Sequence, residues 1–506
     1  MSASTPGARD PAHRESDLVF LSVLLLFVLP FTLPMLRAPF TGDDLMNLYY
    51  HRFRLPPWRA FSDVPAFWTT YRRPLGGCLY LILYSLFGLG TPVPYYLAGF
   101  LLFIINVILL FFLFRRLTSN GYLSVLAAAI ASVHWVMFNV WYNFGAVYEL
   151  LAFTFMLTAF HLYRRALDVR GAAPFAGWYG AALLSYVLAI SGKEMAVTLP
   201  GILLAYEVIY RAQRDRLSVQ LPRMALRLTP FMLIAGVAVA AKALGAGAMW
   251  RDNPAYAYHV DSTIVDNLGR YLEMLCLDRI HCPGPAAIFV LAAALGLALW
   301  LRDRHMLFGW CYFLITLLPV LGLPRVWGLF LYIPLAGPGL YLASAAVHLG
   351  QAVRRVLTRA FPGYGAGAWP AWLALLLALA TLTGIHRVPT SRAADVFCRP
   401  GIRKAAFRQQ LTQAYPTMPS SSVLLFLHSP YDSWELHFGV WLSYAEPGIE
   451  VLGGPNFSLD SFRELVASGR IPHVFDYEDD ELHELAADVL LKADGSGTRA
   501  ARGGAP

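Results

Sequence analysis

Apolar runs and polar segments alternate along most of the chain. Several runs approach the ~20 residues that an α-helix needs to cross a bilayer, and the shorter runs fit broken or tilted helices. The pattern therefore predicts an α-helical polytopic membrane protein with about 11 transmembrane helices. The predicted spans are residues 18–36, 95–114, 121–138, 146–163, 175–191, 196–210, 228–246, 285–301, 306–322, 327–347 and 369–386.

Two kinds of connection separate the apolar runs. One kind is short and rich in arginine, whereas the other carries aromatic residues, proline and carboxylates. Because cytoplasmic loops are enriched in Lys and Arg, the second kind is predicted to be external or periplasmic. The two kinds alternate strictly with about 11 spans and a cytoplasmic N-terminus. The arginine-rich connections contain Arg115-Arg116, Arg164 to Arg170, Arg211 to Arg227, Arg302 to Arg304 and Arg354 to Arg359.

Composition supports a membrane protein and argues against nucleic-acid binding. The 506 residues are 57% hydrophobic and 14% charged, whereas soluble domains carry about 25% charged residues. The formal charge of +8 comes mainly from arginines, many of them clustered in the short connections, rather than from a basic face. The five cysteines show no metal-ligand spacing. Cys276 and Cys282 could form a disulfide, but two unpaired thiols fit the spacing equally well.

Four segments differ in character along the chain. Residues 1–17 are polar and predicted to be a disordered cytoplasmic N-terminus, and residues 18–386 are predicted to form the transmembrane domain. The long first external loop includes an apolar run, Leu75 to Leu89, which is predicted to lie along the membrane interface. Residues 387–493 mix β-prone runs with polar helical pieces, which predicts a small external α/β domain. Residues 494–506 are predicted to be a disordered tail.

Two adjacent carboxylates, Asp43 and Asp44, follow the first apolar run. Ionisable residues at a membrane boundary are candidates for a functional site. The alternative to a functional site is a structural role, in which Asp43 caps the next helix and Asp44 is solvated. A carboxylate can act as a general base on an acceptor hydroxyl while cations hold a lipid-linked phosphate leaving group. The charge alternation predicts three further elements on this face, namely Arg72-Arg73, Tyr148-Glu149 and Lys193-Glu194.

Four short motifs follow one another in an order that a known superfamily shows. They are Asp43-Asp44, Tyr71 to Leu75, Lys193 to Pro200 and Leu331 to Pro334. In these motifs, over about residues 18–347, the chain resembles the GT-C superfamily of integral-membrane glycosyltransferases. It is most similar to polyprenyl- or dolichyl-phosphate-mannose-dependent protein O-mannosyltransferases, including the tetratricopeptide-containing type. The tetratricopeptide repeats themselves are missing from the sequence.

The resemblance implies an inverting glycosyltransferase that uses a polyprenyl-phosphate sugar, mannose-like or another hexose or pentose. The implied acceptor is a hydroxyl of a glycan, a lipid-linked saccharide or a protein, on the periplasmic face of a bacterial inner membrane. A non-catalytic transporter or scaffold for lipid-linked saccharides is the alternative. No cofactor is expected to be required, and a divalent metal ion held by Asp43 and Asp44 is the alternative to that expectation.

The resemblance also assigns roles to individual residues. Asp43 or Asp44 is the expected base, and the residues expected to bind the departing phosphate are Arg72, Arg73 and Lys193. The family has an arginine at the position of Leu329. We expect Arg325 to replace it, because a residue four positions earlier shares a helix face. Weaker candidates for sugar or acceptor contacts, with interface packing as their alternative, are Tyr148, Glu149, Glu194, Trp250 and His259.

Overall fold

The structure is a computed structural model and describes residues 11–54, 56, 58, 73–212, 217–244, 257–360, 369–453 and 458–492. Two of the predicted site residues, Arg72 and Trp250, lie outside these ranges. The first ten residues and the predicted tail, residues 494–506, also lie outside them.

Helices account for most of the described chain. Several of them start where the sequence offers a capping residue or a proline. Pro74 occupies the first turn of its helix, Asn120 accepts a hydrogen bond from Leu123 N at 3.1 Å, and Asp303 caps a later helix. The helices up to the end of the membrane part are α1 Pro11–Thr32, α2 Gly42–Tyr49, α3 Pro74–Phe87, α4 Val93–Thr118, α5 Gly121–Val133, α6 Phe138–Trp141, α7 Val147–Asp168, α8 Ala172–Gly192, α9 Leu199–Tyr206, α10 Leu217–Leu244, α11 Thr263–Leu275, α12 Gly284–Trp300, α13 Arg304–Leu321, α14 Ala336–Ala360 and α15 Trp369–Ala414.

Seven helices in the described ranges are long and apolar enough to cross a membrane. An eighth span results if α5 and the segment Trp135–Trp141 count as one span with a bend of 56°. The chain is therefore a multi-pass integral membrane protein, while the count of about 11 spans stays a prediction. The predicted spans 196–210 and 285–301 coincide with shorter elements. The first is split between a 3₁₀ turn, α9 and a π-helical turn, and the second is the 17-residue helix α12.

Helix α7 lies at the centre of the bundle and packs against α8 and α4. Asn106 of α4 is buried at this contact and donates hydrogen bonds to Leu150 O and to the Tyr332 hydroxyl, both at 2.9 Å. Peripheral helices instead expose large apolar side chains, since Leu226, Phe289 and Trp300 are each more than three-quarters exposed. Such surfaces suit contact with lipid rather than water.

Helix α1 extends beyond its apolar run at the N-terminal end. It begins at Pro11, so residues 11–17 are helical rather than disordered as predicted. Asp17 is 6% exposed, and its Oδ1 atom lies 2.6 Å from Arg115 Nε near the end of α4. This partly buried ion pair joins the two helices and gives the polar end of α1 a fixed partner.

Helix α11 occupies the predicted external loop before α12. Its buried face includes Asn267, whose side chain donates to the carbonyl oxygens of Leu321 and Leu323 at 2.7 Å each. Cys276 follows the helix, and all five cysteines of the chain are unpaired in the structure. Cys276 and Cys282 are therefore two free thiols here.

A four-stranded sheet forms in the C-terminal part, in the order β2-β1-β3-β4. The strands β2 and β3 both pair with β1 in parallel, and β4 pairs with β3 in antiparallel fashion. All five residues of β1 are buried, as expected for a central parallel strand. The elements of this part are β1 Ser422–Phe426, α16 Ser433–Tyr444, β2 Glu450–Gly453, α17 Leu459–Ala467, β3 Ile471–Glu478, β4 Glu481–Leu485 and α18 Ala487–Lys492.

The sheet is joined to the membrane helices by a continuous helix. Helix α15 runs through the predicted boundary between residues 386 and 387 and ends only at Ala414, with Pro389 and Pro400 inside it. The first strand starts at Ser422, so the α/β fold occupies a shorter segment than the predicted 387–493.

Helix α16 of the C-terminal part packs against α2. Tyr49 stacks on Trp441 with the ring centroids 4.9 Å apart. The Glu435 side chain is paired with Lys404 of α15 and lies against Gly42. A Cβ atom at Gly42 would come within 1.9 Å of Glu435 Oε1 and 2.5 Å of Glu435 Cγ, so a larger residue here would force the Glu435 side chain to move. The C-terminal part therefore supports the start of α2.

Candidate active site

The start of α2 fixes the two adjacent carboxylates through a capping box. The Thr41 hydroxyl accepts a hydrogen bond from Asp44 N at 3.3 Å, and Asp44 Oδ2 accepts one from Thr41 N at 2.8 Å. This reciprocal pair satisfies two backbone donors at the helix start. The cap is therefore formed by Thr41 and Asp44, and the prediction that Asp43 caps the helix while Asp44 is solvated is wrong.

Asp44 is sealed inside the protein, with 1% of its surface exposed. Besides the bond from Thr41, Gly145 N donates to its Oδ1 at 2.8 Å, and the Tyr96 hydroxyl, which donates to Pro39 O at 2.8 Å, lies 3.3 Å from its Oδ2. Burial raises the pKa of Asp44 to about 7, although the hydrogen bonds from Thr41 and Gly145 oppose this change. A pKa near 7 suits a general base. Both oxygens are nevertheless occupied, and a substrate hydroxyl has no access to them.

Asp43 points to a different side of the same helical turn, since adjacent helical residues are about 100° apart, and is only half-buried. Its Oδ2 accepts a hydrogen bond from Asn143 Nδ2 at 3.2 Å. The other carboxylate oxygen has no hydrogen-bond partner in the described part of the chain, and Asp43 lines a cavity. Of the two adjacent acids, Asp43 is the one that can exchange a proton with a bound molecule.

The cavity beside Asp43 has a volume of about 140 Å³. It brings together residues that are far apart in the sequence, from the first loop, the start of α7, the end of α8 and the segment after α13. The predicted site residues that line it are Asp43, Arg73, Tyr148, Glu149, Lys193, Glu194 and Arg325. The other lining residues are Met46, Asn47, Asn143, Gly145, Met195, Pro319, Val320, Leu323, Trp327, Leu329 and Phe330.

Arg73 and Glu194 form an ion pair in the wall of the cavity. Arg73 directly precedes Pro74, and its Nη2 and Nε atoms donate to Glu194 Oε2 at 3.1 and 3.2 Å. Lys242 of α10 adds a second cation, with its Nζ 3.6 Å from Glu194 Oε1. Burial alone would favour the neutral acid, but Arg73, Lys242 and Lys193 hold the pKa of Glu194 well below its usual range. Glu194 therefore stays ionised and orients the cations.

Lys193 and Glu149 form a second ion pair, with Lys193 Nζ 2.5 Å from Glu149 Oε1. Glu149 is completely buried, and its second oxygen, Oε2, has no hydrogen-bond donor among the described residues. Burial and the nearby Arg73 lower the pKa of Lys193, an effect that Glu149 opposes. This pair differs from the first because Glu149, which lines the cavity, keeps a buried oxygen without a hydrogen-bond donor among the described residues.

Arg325 lines the cavity from the segment between α13 and the 3₁₀ turn Gly328–Leu331. This segment is not helical, so the prediction that Arg325 lies one helical turn before position 329 is wrong. Its guanidinium instead stacks over the Trp327 ring, 4.7 Å from the centroid, and the described residues provide it with no carboxylate partner. Leu329 itself is buried in the cavity wall.

Tyr148 connects the two sides of the cavity. Its hydroxyl donates to Asn47 Oδ1 at 3.2 Å and lies 2.7 Å from His51 Nε2, and the Arg73 guanidinium is 5.1 Å from its ring centroid. Sequence reasoning singled out neither Asn47 nor His51. Asn47 lies one turn after Asp43, which is the signal that could have revealed it.

His259 is separate from these residues. It does not line the cavity, its side chain is about half-exposed, and Asp261 is its nearest acid at 3.8 Å. Lys242, in the last turn of α10, lies against Glu194. The sequence around Lys242 does not predict this contact, because Glu194 belongs to a distant segment.

The cavity lies at one face of the membrane part. Tyr96, near the start of α4, contacts Asp44, whereas Arg115 and Arg116 are near the other end of that helix. At 1.5 Å per residue, the distance along α4 from Tyr96 to Arg115 is roughly 28 Å, close to the thickness of the hydrocarbon core. The charged cavity and the arginine-rich connection therefore lie at opposite ends of one membrane helix.

These features define a multi-pass membrane protein with a cavity of paired carboxylates and cations at one membrane face. No protein-family model and no curated protein matches the chain. Among solved structures, it is similar to ArnT from Cupriavidus metallidurans in the apo state. The TM-score is 0.51 at 16% sequence identity, and the match covers 92% of this chain and 94% of ArnT.

Two further structures are similar at lower scores. ArnT from the same organism bound to undecaprenyl phosphate gives a TM-score of 0.46 at 16% identity, over 91% of this chain and 93% of ArnT. The Archaeoglobus fulgidus oligosaccharyltransferase in the apo form gives 0.49 at 13% identity, over 91% of this chain and 69% of that one. ArnT and the oligosaccharyltransferase are GT-C glycosyltransferases. The likeness to ArnT in the apo state shows that this chain has the GT-C fold, which confirms the fold predicted from the motifs.

Proposed function

We propose that the protein is an inverting glycosyltransferase that moves a sugar from a polyprenyl-phosphate donor to an acceptor hydroxyl. The observation that carries this proposal is the cavity itself. Asp43, a carboxylate without an ion-pair partner among the described residues, lines the same space as three cations, Arg73, Lys193 and Arg325. A general base opposite a set of cations is the arrangement that transfer from a phosphate leaving group needs.

Asp43 is the proposed base in this reaction. Its free oxygen takes the proton from the acceptor hydroxyl while the hydroxyl oxygen forms a bond to the anomeric carbon of the sugar. The bond from that carbon to the phosphate oxygen breaks, and the lipid monophosphate leaves with the electron pair. Attack on the side opposite the leaving group inverts the anomeric configuration. Asn143 holds the other Asp43 oxygen at 3.2 Å and orients the base.

The cations of the cavity are the proposed phosphate ligands. Arg73 and Lys193 are each held by a carboxylate, Glu194 and Glu149 respectively. These ion pairs fix the cations before a donor arrives, which lowers the ordering cost on binding. Arg325 has no such partner among the described residues and is exposed. It is therefore the cation with the most capacity to bind the phosphate directly.

The donor atoms near Asp43 indicate whether Asp43 and Asp44 could hold a metal ion together. A metal ion shared by Asp43 and Asp44 would need Asp44 oxygens that instead accept bonds from Thr41 N and Gly145 N. The neighbouring acids therefore do not fit a shared metal site. Our expectation that no metal is required stays a prediction, and transfer that persists in the presence of a strong chelator would support it.

Sugar transfer by the purified protein tests the proposal. A panel of polyprenyl-monophosphate hexoses, mannose first, and pentoses is offered together with envelope glycans, lipid-linked saccharides and secreted proteins as acceptors. We expect labelled sugar to move from one donor to one acceptor class, and transfer by the Asp43→Asn variant to fall about 10²- to 10⁴-fold. Binding of a donor without turnover of any acceptor would favour a transporter or scaffold instead.

The proposed location is the periplasmic face of a bacterial inner membrane, with the C-terminal sheet on that same side. The contact between α16 and α2 supports a common side for the sheet and the cavity. A reporter fused after residue 492 is expected to be active outside the cytoplasm, whereas one inserted at Arg170 is expected to be active inside. A cytoplasmic reading for the C-terminal fusion would contradict the orientation.

A further inference from the structure

Three metal-ligating side chains meet in the C-terminal part, away from the cavity. His428 follows β1, and Asp476 and Glu478 lie at the end of β3. His428 Nδ1 is 2.7 Å from Asp476 Oδ1 and 3.8 Å from Glu478 Oε1, and one ligand atom from each residue lies within 4.8 Å of the others. In the described part of the chain, no other group of three His, Cys, Asp or Glu side chains meets this spacing.

The order of the strands explains why these residues converge. Strand β1 is paired in parallel with β2 on one side and with β3 on the other. The connection after β1 leads to β2, and the connection after β2 crosses to β3 on the far side of β1. The carboxyl ends of β1 and β3 therefore border the point where the strand order reverses, which is where open α/β sheets bind ligands. His428, Asp476 and Glu478 are all at this edge.

We propose that His428, Asp476 and Glu478 bind a divalent transition-metal ion of the Zn²⁺ class. One imidazole nitrogen and two carboxylates are a donor set that such ions accept, with water completing the coordination. Ligand atoms around a tetrahedral Zn²⁺ lie about 3.4 Å apart, given bonds of about 2.1 Å. The three side chains are partly or largely exposed, so they can adjust by the small distances that this geometry requires.

A metal ion at this position would fix the loop that leads into α16. Tyr431, in the same loop, donates its hydroxyl to Lys404 O at 3.0 Å. Lys404 pairs with Glu435, which lies against Gly42 at the start of α2. The metal site is thus linked through packed side chains to the helix that carries Asp43. The site is independent of the proposed sugar transfer, because none of its three residues lines the cavity.

Zinc binding by the full-length protein in detergent tests this proposal. The chain is stripped with a chelator and titrated with Zn²⁺ against a chromophoric competitor, and its thermal unfolding is followed with and without Zn²⁺. We expect one saturable site and a higher midpoint of unfolding with Zn²⁺. His428→Ala and Asp476→Asn should each weaken this binding about tenfold or more, since even residues behind the ligands contribute that much.

His483→Ala is the matched control, because His483 is also an exposed histidine next to an acid, Glu481 at 3.9 Å, but lies outside the group. Its zinc affinity should equal that of the unaltered chain. Equal zinc binding by the unaltered chain and by folded His428→Ala protein would overturn the proposal, as would the lack of a saturable site. In that case the contact between His428 and Asp476 is only a surface ion pair. The readout is binding, so the result does not depend on whether the protein transfers a sugar.

Discussion

Replacing the two adjacent acids one at a time should separate catalysis from folding. Asp43→Asn removes the proposed base but keeps the shape of the side chain. Its amide oxygen can still accept the hydrogen bond from Asn143. Asp44→Asn instead alters a buried acceptor that satisfies backbone donors of Thr41 and Gly145. We therefore expect Asp43→Asn protein to be stable and inactive, and Asp44→Asn protein to be destabilised.

The structure sets the expected size of each effect. In Asp44→Asn, an NH₂ group replaces one of the two oxygens and faces a backbone N–H, either that of Thr41 or that of Gly145. An unsatisfied buried donor costs about 1–3 kcal/mol, and a damaged cap adds about 1 kcal/mol. We expect a total loss of about 2–4 kcal/mol. Asp43 is half-buried, so Asp43→Asn should change the stability by less than about 0.5 kcal/mol, while its transfer rate falls about 10²- to 10⁴-fold.

Both variants are compared by thermal unfolding in detergent and by the rate of sugar transfer. The stability measurement does not require the substrate, so it tests the capping argument independently. Full transfer by Asp43→Asn protein would show that another group removes the proton. Unchanged stability of Asp44→Asn protein would refute the assignment of Asp44 as a buried structural acid.

Three further predictions concern the surroundings of these acids. Arg325→Ala should weaken donor binding about tenfold or more, as expected for a lost hydrogen bond to a charged group, whereas Arg325→Lys should retain part of it. Direct measurement of donor affinity checks this. Gly42→Ala should lower the unfolding midpoint because its Cβ collides with Glu435, and adding Glu435→Ala should relieve the collision. Tyr96→Phe should cost about 1–2 kcal/mol of stability, measured by thermal unfolding, because it loses its 2.8 Å bond to Pro39 O.

The sequence contains enough information to identify the acid that forms the cap. Thr41 followed three residues later by Asp44 matches the capping-box pattern. The structural role predicted above gives the cap to Asp43, because it rests on the capping preference of a single acid and leaves out the spacing between Thr41 and Asp44. The pattern indicates that Asp44 turns back toward the backbone, and the helical spacing then directs Asp43 to another side. The further burial of Asp44 by Tyr96 depends on the tertiary fold.

Other parts of the site could not be predicted because they depend on contacts between distant segments. The pairing of Arg73 with Glu194 joins the first loop to the segment after α8. Lys242 lies near the end of an apolar helix, where lysines commonly snorkel toward the membrane surface, and its contact with Glu194 depends on the approach of α10 in the folded protein. The position of Arg325 depends on the break in helical structure after α13, which hydropathy does not reveal.

The distribution of charge in the cavity explains how it could favour the transition state rather than the bound donor. In the proposed reaction, proton transfer to Asp43 neutralises that carboxylate at the moment when the departing phosphate gains a negative charge. In that step negative charge moves away from Asp43 and toward the phosphate, which the cations of the same cavity would hold. Glu194 and Glu149 hold Arg73 and Lys193 in position from the start, so these groups need little reorganisation as the charge develops. An arrangement that stabilises the charge as it is distributed in the transition state, more than as it is distributed in the bound donor, raises the rate of transfer without tightening donor binding.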